Sequence, residues 1–174
     1  PGPRYDPILI PPPGNYHPVT SGAYSLSEDY TFTVEGFVAA LERLEADGLL
    51  VVVRWLQVPP SESLRAFAVA VQAVEQTGGD PATSLVALRS YSQMLLLVRQ
   101  GAFTSQEVDA VRAFAAARSF DMVAAPGIRS DEVNQHNVLP DGDFYYETFG
   151  GLLAAEDRAA WLADNVKEKT TLEA

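Results

Sequence analysis

Leu49-Leu50-Val51-Val52-Val53 is an uninterrupted apolar run of five residues, three of them valine. Branched side chains crowd a helix and suit a pleated strand. A strand with no polar alternation must be covered on both faces, as in a parallel sheet. The segment before it carries Val34, Phe37, Val38, Leu41 and Leu44, spaced as one face of an amphipathic helix. Asp47-Gly48 joins the two, and its glycine is expected to end the helix in a left-handed cap. A helix feeding directly into a doubly buried strand restricts the chain to the α/β class.

The rest of the chain repeats this alternation. Ile8-Leu9-Ile10 reads as a first strand, stopped by Pro11-Pro12-Pro13-Gly14, and residues 15–30 read as a long loop. Ser61 is placed to cap a helix carrying Leu64, Phe67, Ala68, Val71 and Val74, which Gly78-Gly79-Asp80-Pro81 ends. Residues 84–89 and 93–99 read as strands joined by Ser90-Tyr91-Ser92, a connector short enough to force an antiparallel pair. Thr104 and Glu107 form a capping box, flanked by the staple Phe103 and Val108, for a helix over 105–118. A strand over 120–125, a short helix over 131–136, a turn at 140–143 and two further helical segments complete the reading. The expected fold is α/β: a partial Rossmann-like three-layer sandwich, mainly parallel with one antiparallel strand, plus C-terminal helices. Residues 1–125 form the α/β lobe and 126–174 a helical extension with a flexible end.

Charge narrows the partners. Twelve Lys and Arg against 23 Asp and Glu give a net charge of -11, which repels nucleic acid and anionic membrane surfaces. No cysteine is present, which excludes disulfides, thiolate zinc sites and a thiol nucleophile. No apolar stretch approaches the roughly 20 residues of a membrane span, and a cytoplasmic location is expected of this segment.

The residues Tyr5-Asp6-Pro7-Ile8-Leu9-Ile10, Gly22-Ala23-Tyr24-Ser25-Leu26-Ser27-Glu28-Asp29-Tyr30 and Leu41-Glu42-Arg43-Leu44 with Asp47-Gly48-Leu49-Leu50-Val51-Val52 resemble the carboxyl half of class I S-adenosylmethionine-dependent methyltransferases. Within that fold they resemble the spermidine-synthase-like proteins. The likeness covers roughly residues 5 to 100 and implies that the strand pair after residue 84 ends the sheet with its final member reversed. It implies S-adenosylmethionine, or its decarboxylated form, as cofactor of a longer parent whose upstream part can carry membrane spans. Two departures stand against activity here. The twelve glycines form no G-x-G-x-x-G turn, the device that cradles such a cofactor. Where aminopropyl-transferring relatives place a catalytic Asp after the fourth strand, this chain has Pro11-Pro12-Pro13-Gly14. The expectation is therefore an excised substrate-side half, silent alone and lacking its cofactor-binding half. An unpaired first strand implies a homodimer by sheet extension or exchange of elements. The alternative is a noncatalytic α/β protein-interaction domain.

Candidate side chains follow from position. Asn15, Tyr16 and His17 leave the carboxyl end of the first strand, where open α/β sheets bind ligands. With Tyr24 they line a pocket in which His17 serves as acid or base, or they are packing tyrosines and an exposed histidine. Arg54 and Trp55 leave the next strand on the same edge, either to bind an anionic or planar ligand or to cap and pack. Asp141-Gly142-Asp143 lacks the distal ligands of a calcium loop and reads as a turn. His136 and Glu132 have no third metal ligand nearby and read as a polar helix end. Phe144, Tyr145, Tyr146 and Phe149 form either an aromatic docking surface or ordinary helix packing. No catalytic residue is assigned.

Overall fold

The computed structural model describes residues 2–12, 30–57 and 61–167. Five strands form one open sheet: β1 (Tyr5–Ile10), β2 (Leu44–Trp55), β3 (Leu85–Arg89), β4 (Gln93–Val98) and β5 (Asp121–Ala124), in the spatial order β1-β2-β4-β3-β5. The helices are α1 (Val34–Leu41), α2 (Ser61–Gln76), α3 (Pro81–Ser84), α4 (Ser105–Ala117), α5 (Phe144–Ala154) and α6 (Arg158–Lys167), and a 3-10 turn at Tyr30–Phe32 leads into α1. The α/β class expected from the sequence is therefore observed.

The sheet is mixed rather than mainly parallel. Among the described residues only β1 and β2 pair in parallel; β2–β4, β4–β3 and β3–β5 are all antiparallel. Two strands run backwards, where the sequence suggested one. The reason is connectivity. The short link between β3 and β4 reverses β4, and the helical connection through α4 then returns the chain to lay β5 parallel to β4, across β3. β5 inherits the reversal.

Alternation along the strands splits the core. Leu50, Val52, Met94, Leu96, Val98, Leu85 and Ala87 face α1, α2 and α5, meeting Phe37, Leu41, Phe67, Val71, Tyr145, Phe149 and Leu152. Val86, Leu88 and Met122 face α4 through Phe103, Val108 and Ala115. Residues of the expected C-terminal extension thus help build the main core, and the rings of Phe149 and Phe67 stack with centroids 4.2 Å apart. Each such buried aromatic contributes on the order of 2–3 kcal/mol relative to exposure.

Helix α1 is shorter than its apolar stripe suggests. It ends at Leu41, and Leu44 already opens β2, pairing with Tyr5. The Tyr5 N–H donates to Arg43 O at 2.9 Å and Arg4 Nη1 to Leu44 O at 2.7 Å, so cross-strand partners capture backbone that would have continued the helix. Gly48 is consequently no helix cap. It lies inside β2 beside a register shift, where a Cβ would sit 2.8 Å from Asp6 O and 2.9 Å from Tyr5 O. Close approach of β1 is what requires glycine here.

The capping box of α4 forms as expected: Thr104 Oγ1 accepts from Glu107 N, and the Glu107 carboxylate accepts from Thr104 N. The helix expected over 131–136 does not form. The N–H groups of Gln135, His136 and Asn137 donate instead to the Asp121 carboxylate at 2.6, 2.8 and 2.7 Å. A buried anion at the start of β5 takes the donors a helical turn would have used, and the segment is irregular.

Candidate functional site

β1, β2 and β3 end at the same edge of the sheet, the edge at which ligands of open α/β sheets gather. Arg54 is the penultimate residue of β2 and stands opposite Met94, as does Arg89 from the other side. Directly paired residues share a face, so both arginines point toward the helical layer of α1, α2 and α5. Their environments then diverge.

Arg89 is 2% exposed. Its Nε donates to Asp143 Oδ2 at 2.8 Å, Nη1 to Asn137 O at 2.8 Å and Nη2 to Asn134 Oδ1 at 2.9 Å, while Asp121 lies 3.6 Å from Nη1. Asp143 also caps α5, accepting from Tyr145 N and Tyr146 N. Asp121 is the other anion of this cluster. Burial raises its pKa, but the N–H groups of His136, Asn137 and Gln135 and the Asn137 amide outweigh that and hold it below the ordinary carboxylate value. With its donors satisfied, Arg89 fastens the 126–143 segment to the sheet.

Arg54 is 5% exposed and lies over the Phe32 ring, its guanidinium carbon 2.9 Å from the centroid. Phe32 is delivered by the 3-10 turn, and Thr33 caps α1 by accepting from Gly36 N at 3.1 Å. Across from them, Glu62, Arg65, Ala66 and Val69 recur on one stripe of α2. Together with Phe32, Thr33 and Arg54 they enclose a cleft of about 280 Å³. Beyond β2 the Gln57 carbonyl accepts from the Tyr145 hydroxyl at 2.9 Å, fixing the strand's exit against α5. Burial pushes that phenol up to about 12.

The cleft is lined by two guanidiniums and one carboxylate, in a chain of net charge -11. Guanidiniums receive carboxylate or phosphate oxygens through paired N–H donors; Arg65 stands exposed on the wall, whereas Nε and Nη1 of Arg54 are shut off from solvent. A stacked guanidinium is also held in plane by its ring.

Of the two residues expected at the end of this strand, Arg54 lines the cleft and Trp55 does not. Successive strand residues point to opposite faces, and Trp55 stands on the other side of the sheet, 44% exposed. Asn15, Tyr16, His17 and Tyr24 lie outside the described residues. Phe32, Thr33, Glu62 and Arg65 escaped the sequence reading. Thr33 carried a signal as a cap before Val34, but exposed Glu62 and Arg65 are indistinguishable by pattern from any solvated helix face. Glu132 takes Arg112 Nε at 2.7 Å, His136 lies in the irregular segment rather than at a helix end, and among the described residues no group of three metal-ligating side chains exists. Asp141-Gly142-Asp143 is a turn, with Gly142 at φ +92°. Of the aromatic group, Tyr145 and Phe149 are buried in the core and serve packing.

No described helix is long and apolar enough to cross a membrane. Comparison with protein-family models, with curated proteins and with solved structures finds no match to this chain.

Proposed function

We propose that this chain is the substrate-side lobe of a spermidine-synthase-like unit of methyltransferase fold. In this reading a second lobe, carried by the same polypeptide or another chain, docks along β1 and supplies S-adenosylmethionine or its decarboxylated form. The observation that carries the reading is the open flank of the parallel pair. Among the described residues β1 pairs only with β2; Leu9 on β1 is 61% exposed, and Trp55 on β2 is 44% exposed on the same face as Val51 and Val53. Helix α4 packs over β3 and β5, with Leu49, Leu95 and Leu97 at the margin of that cluster, and no described helix packs over Leu9 and Trp55 beyond it. Parallel strands are ordinarily buried on both faces, so an apolar flank of this kind fits a surface completed by more protein. The reversal of β4, second of the hairpin pair, and the cleft at the carboxyl end of β2 support the same assignment. Pro11 and Pro12 follow β1 where the relatives bear their catalytic carboxylate, which argues against aminopropyl transfer as such.

Calorimetry tests it. The chain alone is expected to give no heat with either form of the cofactor, and tight binding of either overturns the reading. Without the second lobe the β1 edge is expected to join two copies of the chain into a homodimer. Sedimentation should then show a dimer that Leu9→Arg converts to monomer, and a strictly monomeric parent chain counts against it. The uncovered flank also fits a protein-interaction module without cofactor; cofactor binding by the assembled lobes separates the two readings.

A further inference from the structure

We infer that Asp141-Gly142 is a self-modifying site, where aspartate converts spontaneously to isoaspartate and the change is passed on to the buried Arg89 cluster. The chemistry needs only water. The Gly142 amide nitrogen attacks Cγ of the Asp141 carboxyl; a C–N bond forms, a C–O bond breaks, and the amide proton leaves with the hydroxyl as water. A second water then opens the five-membered imide at either carbonyl. Opening at the α-carbonyl routes the backbone through Cβ and Cγ, one atom longer than before. It leaves a free α-carboxylate in place of the side-chain one, so net charge is unchanged.

The chain contains two Asp-Gly pairs, Asp47-Gly48 and Asp141-Gly142. In both the following glycine has no Cβ to obstruct ring closure, so the fold decides between them. Gly48 lies within β2 against β1, where a Cβ would meet Asp6 O at 2.8 Å and Tyr5 O at 2.9 Å. The Asp47 carboxylate stands 3.5 Å from Arg99 Nη2. Asp141, by contrast, is exposed in a turn, and its carboxylate takes no hydrogen bond or ion pair among the described residues. Gly142 has φ +92°, and the nearest atom to a Cβ placed on it is Glu147 Oε1 at 3.7 Å. Its N–H makes one long bond, 3.3 Å to Leu139 O.

Both ends of this turn are tied to Arg89. Asn134 Oδ1 accepts from Arg89 Nη2 at 2.9 Å and from Leu139 N at 2.8 Å. Asp143 Oδ2 accepts from Arg89 Nε at 2.8 Å, while its Oδ1 caps α5 through Tyr145 N and Tyr146 N. Residues 139–143 therefore bridge two anchors on one guanidinium. An added backbone atom between 141 and 142 does not fit that span, and it frees Asp143, the nearer anchor.

The full chain is aged in neutral buffer made with heavy-oxygen water, so that each imide opening labels the residue. Trypsin then yields peptides 44–54 and 130–158, each with one Asp-Gly pair. Label and the backbone fragment ions of isoaspartate are expected at Asp141 about tenfold or more faster than at Asp47, where reaction waits on opening of the β1–β2 ladder. In denaturant the two sites are expected to react at similar rates. Hydrogen exchange of the aged chain is expected to show a second population, unprotected at Tyr145 and Tyr146 and equal in size to the isomerised fraction. Asp141→Glu keeps the exposed charge but would need a larger ring, and is expected to stay protected throughout. No label at Asp141, equal or slower reaction there than at Asp47 in the folded chain, full protection in isomerised chains, or loss of protection at the same pace in Asp141→Glu overturns the inference.

Discussion

Arg89→Met tests whether one buried cation organises the end of the sheet. Methionine fills similar volume but removes the donors that reach Asp143, Asn137 and Asn134 at 2.8–2.9 Å. It leaves two carboxylates, Asp121 and Asp143, whose side chains are fully buried, without their cation. Breaking a buried pair from one side costs about 3–5 kcal/mol, because the surviving charge is stranded away from water. Against a total stability of about 5–15 kcal/mol that is a large fraction. For a domain of this size it corresponds to a Tm lowered by roughly 6–20 °C. Urea unfolding followed by far-UV circular dichroism measures the change directly, and amide exchange at residues 134–139 locates it. Asp143→Asn in the Arg89→Met background is expected to add less than it does alone, since the partner is already gone. A loss below about 1 kcal/mol for Arg89→Met, or strict additivity in that cycle, would refute the claim that this cluster fastens the 126–143 segment.

Three further outcomes are expected. Gly48→Ala forces a methyl to within 3 Å of the Tyr5 and Asp6 carbonyls, and is expected to cost about 1–3 kcal/mol with weakened amide protection in β1. The Asp121 pKa is depressed in the fold below its ordinary 3.8, so its stabilising contribution is complete above that value and disappears as pH falls through the folded value. Acid unfolding monitored by fluorescence should therefore lose part of its dependence below about pH 4 in Asp121→Asn. Tyr145→Phe removes the donor to Gln57 O and is expected to cost about 1 kcal/mol. In ultraviolet titration it should also remove the phenol that ionises near 12, whose contribution in the parent chain holds below the ordinary value of 10.0 and fades as pH rises through 12.

Much of the skeleton is visible in the residues themselves. Apolar period and caps placed α2, α4 and the β3–β4 hairpin close to their observed bounds, because a capping box, a glycine stop or a three-residue link acts on its own neighbours. The α/β class followed from the same local alternation. What the sequence left open is wherever a distant group outbid a local one. Residues 131–136 have the composition of a helix, but Asp121, from an earlier strand, took the N–H groups of Gln135, His136 and Asn137. Leu44 fits the α1 stripe, but β1 claimed it as a strand residue. The direction of β5 depended on which strand α4 returned beside. The cleft shows the same division: Arg54 was readable as the charged end of an apolar strand, whereas its convergence with Phe32, Glu62 and Arg65 exists only because α1 and α2 pack side by side over one face of the sheet. Period and capping are short-range chemistry and are written in the sequence; hydrogen-bond competition and the meeting of side chains from separate elements are decided by tertiary contact.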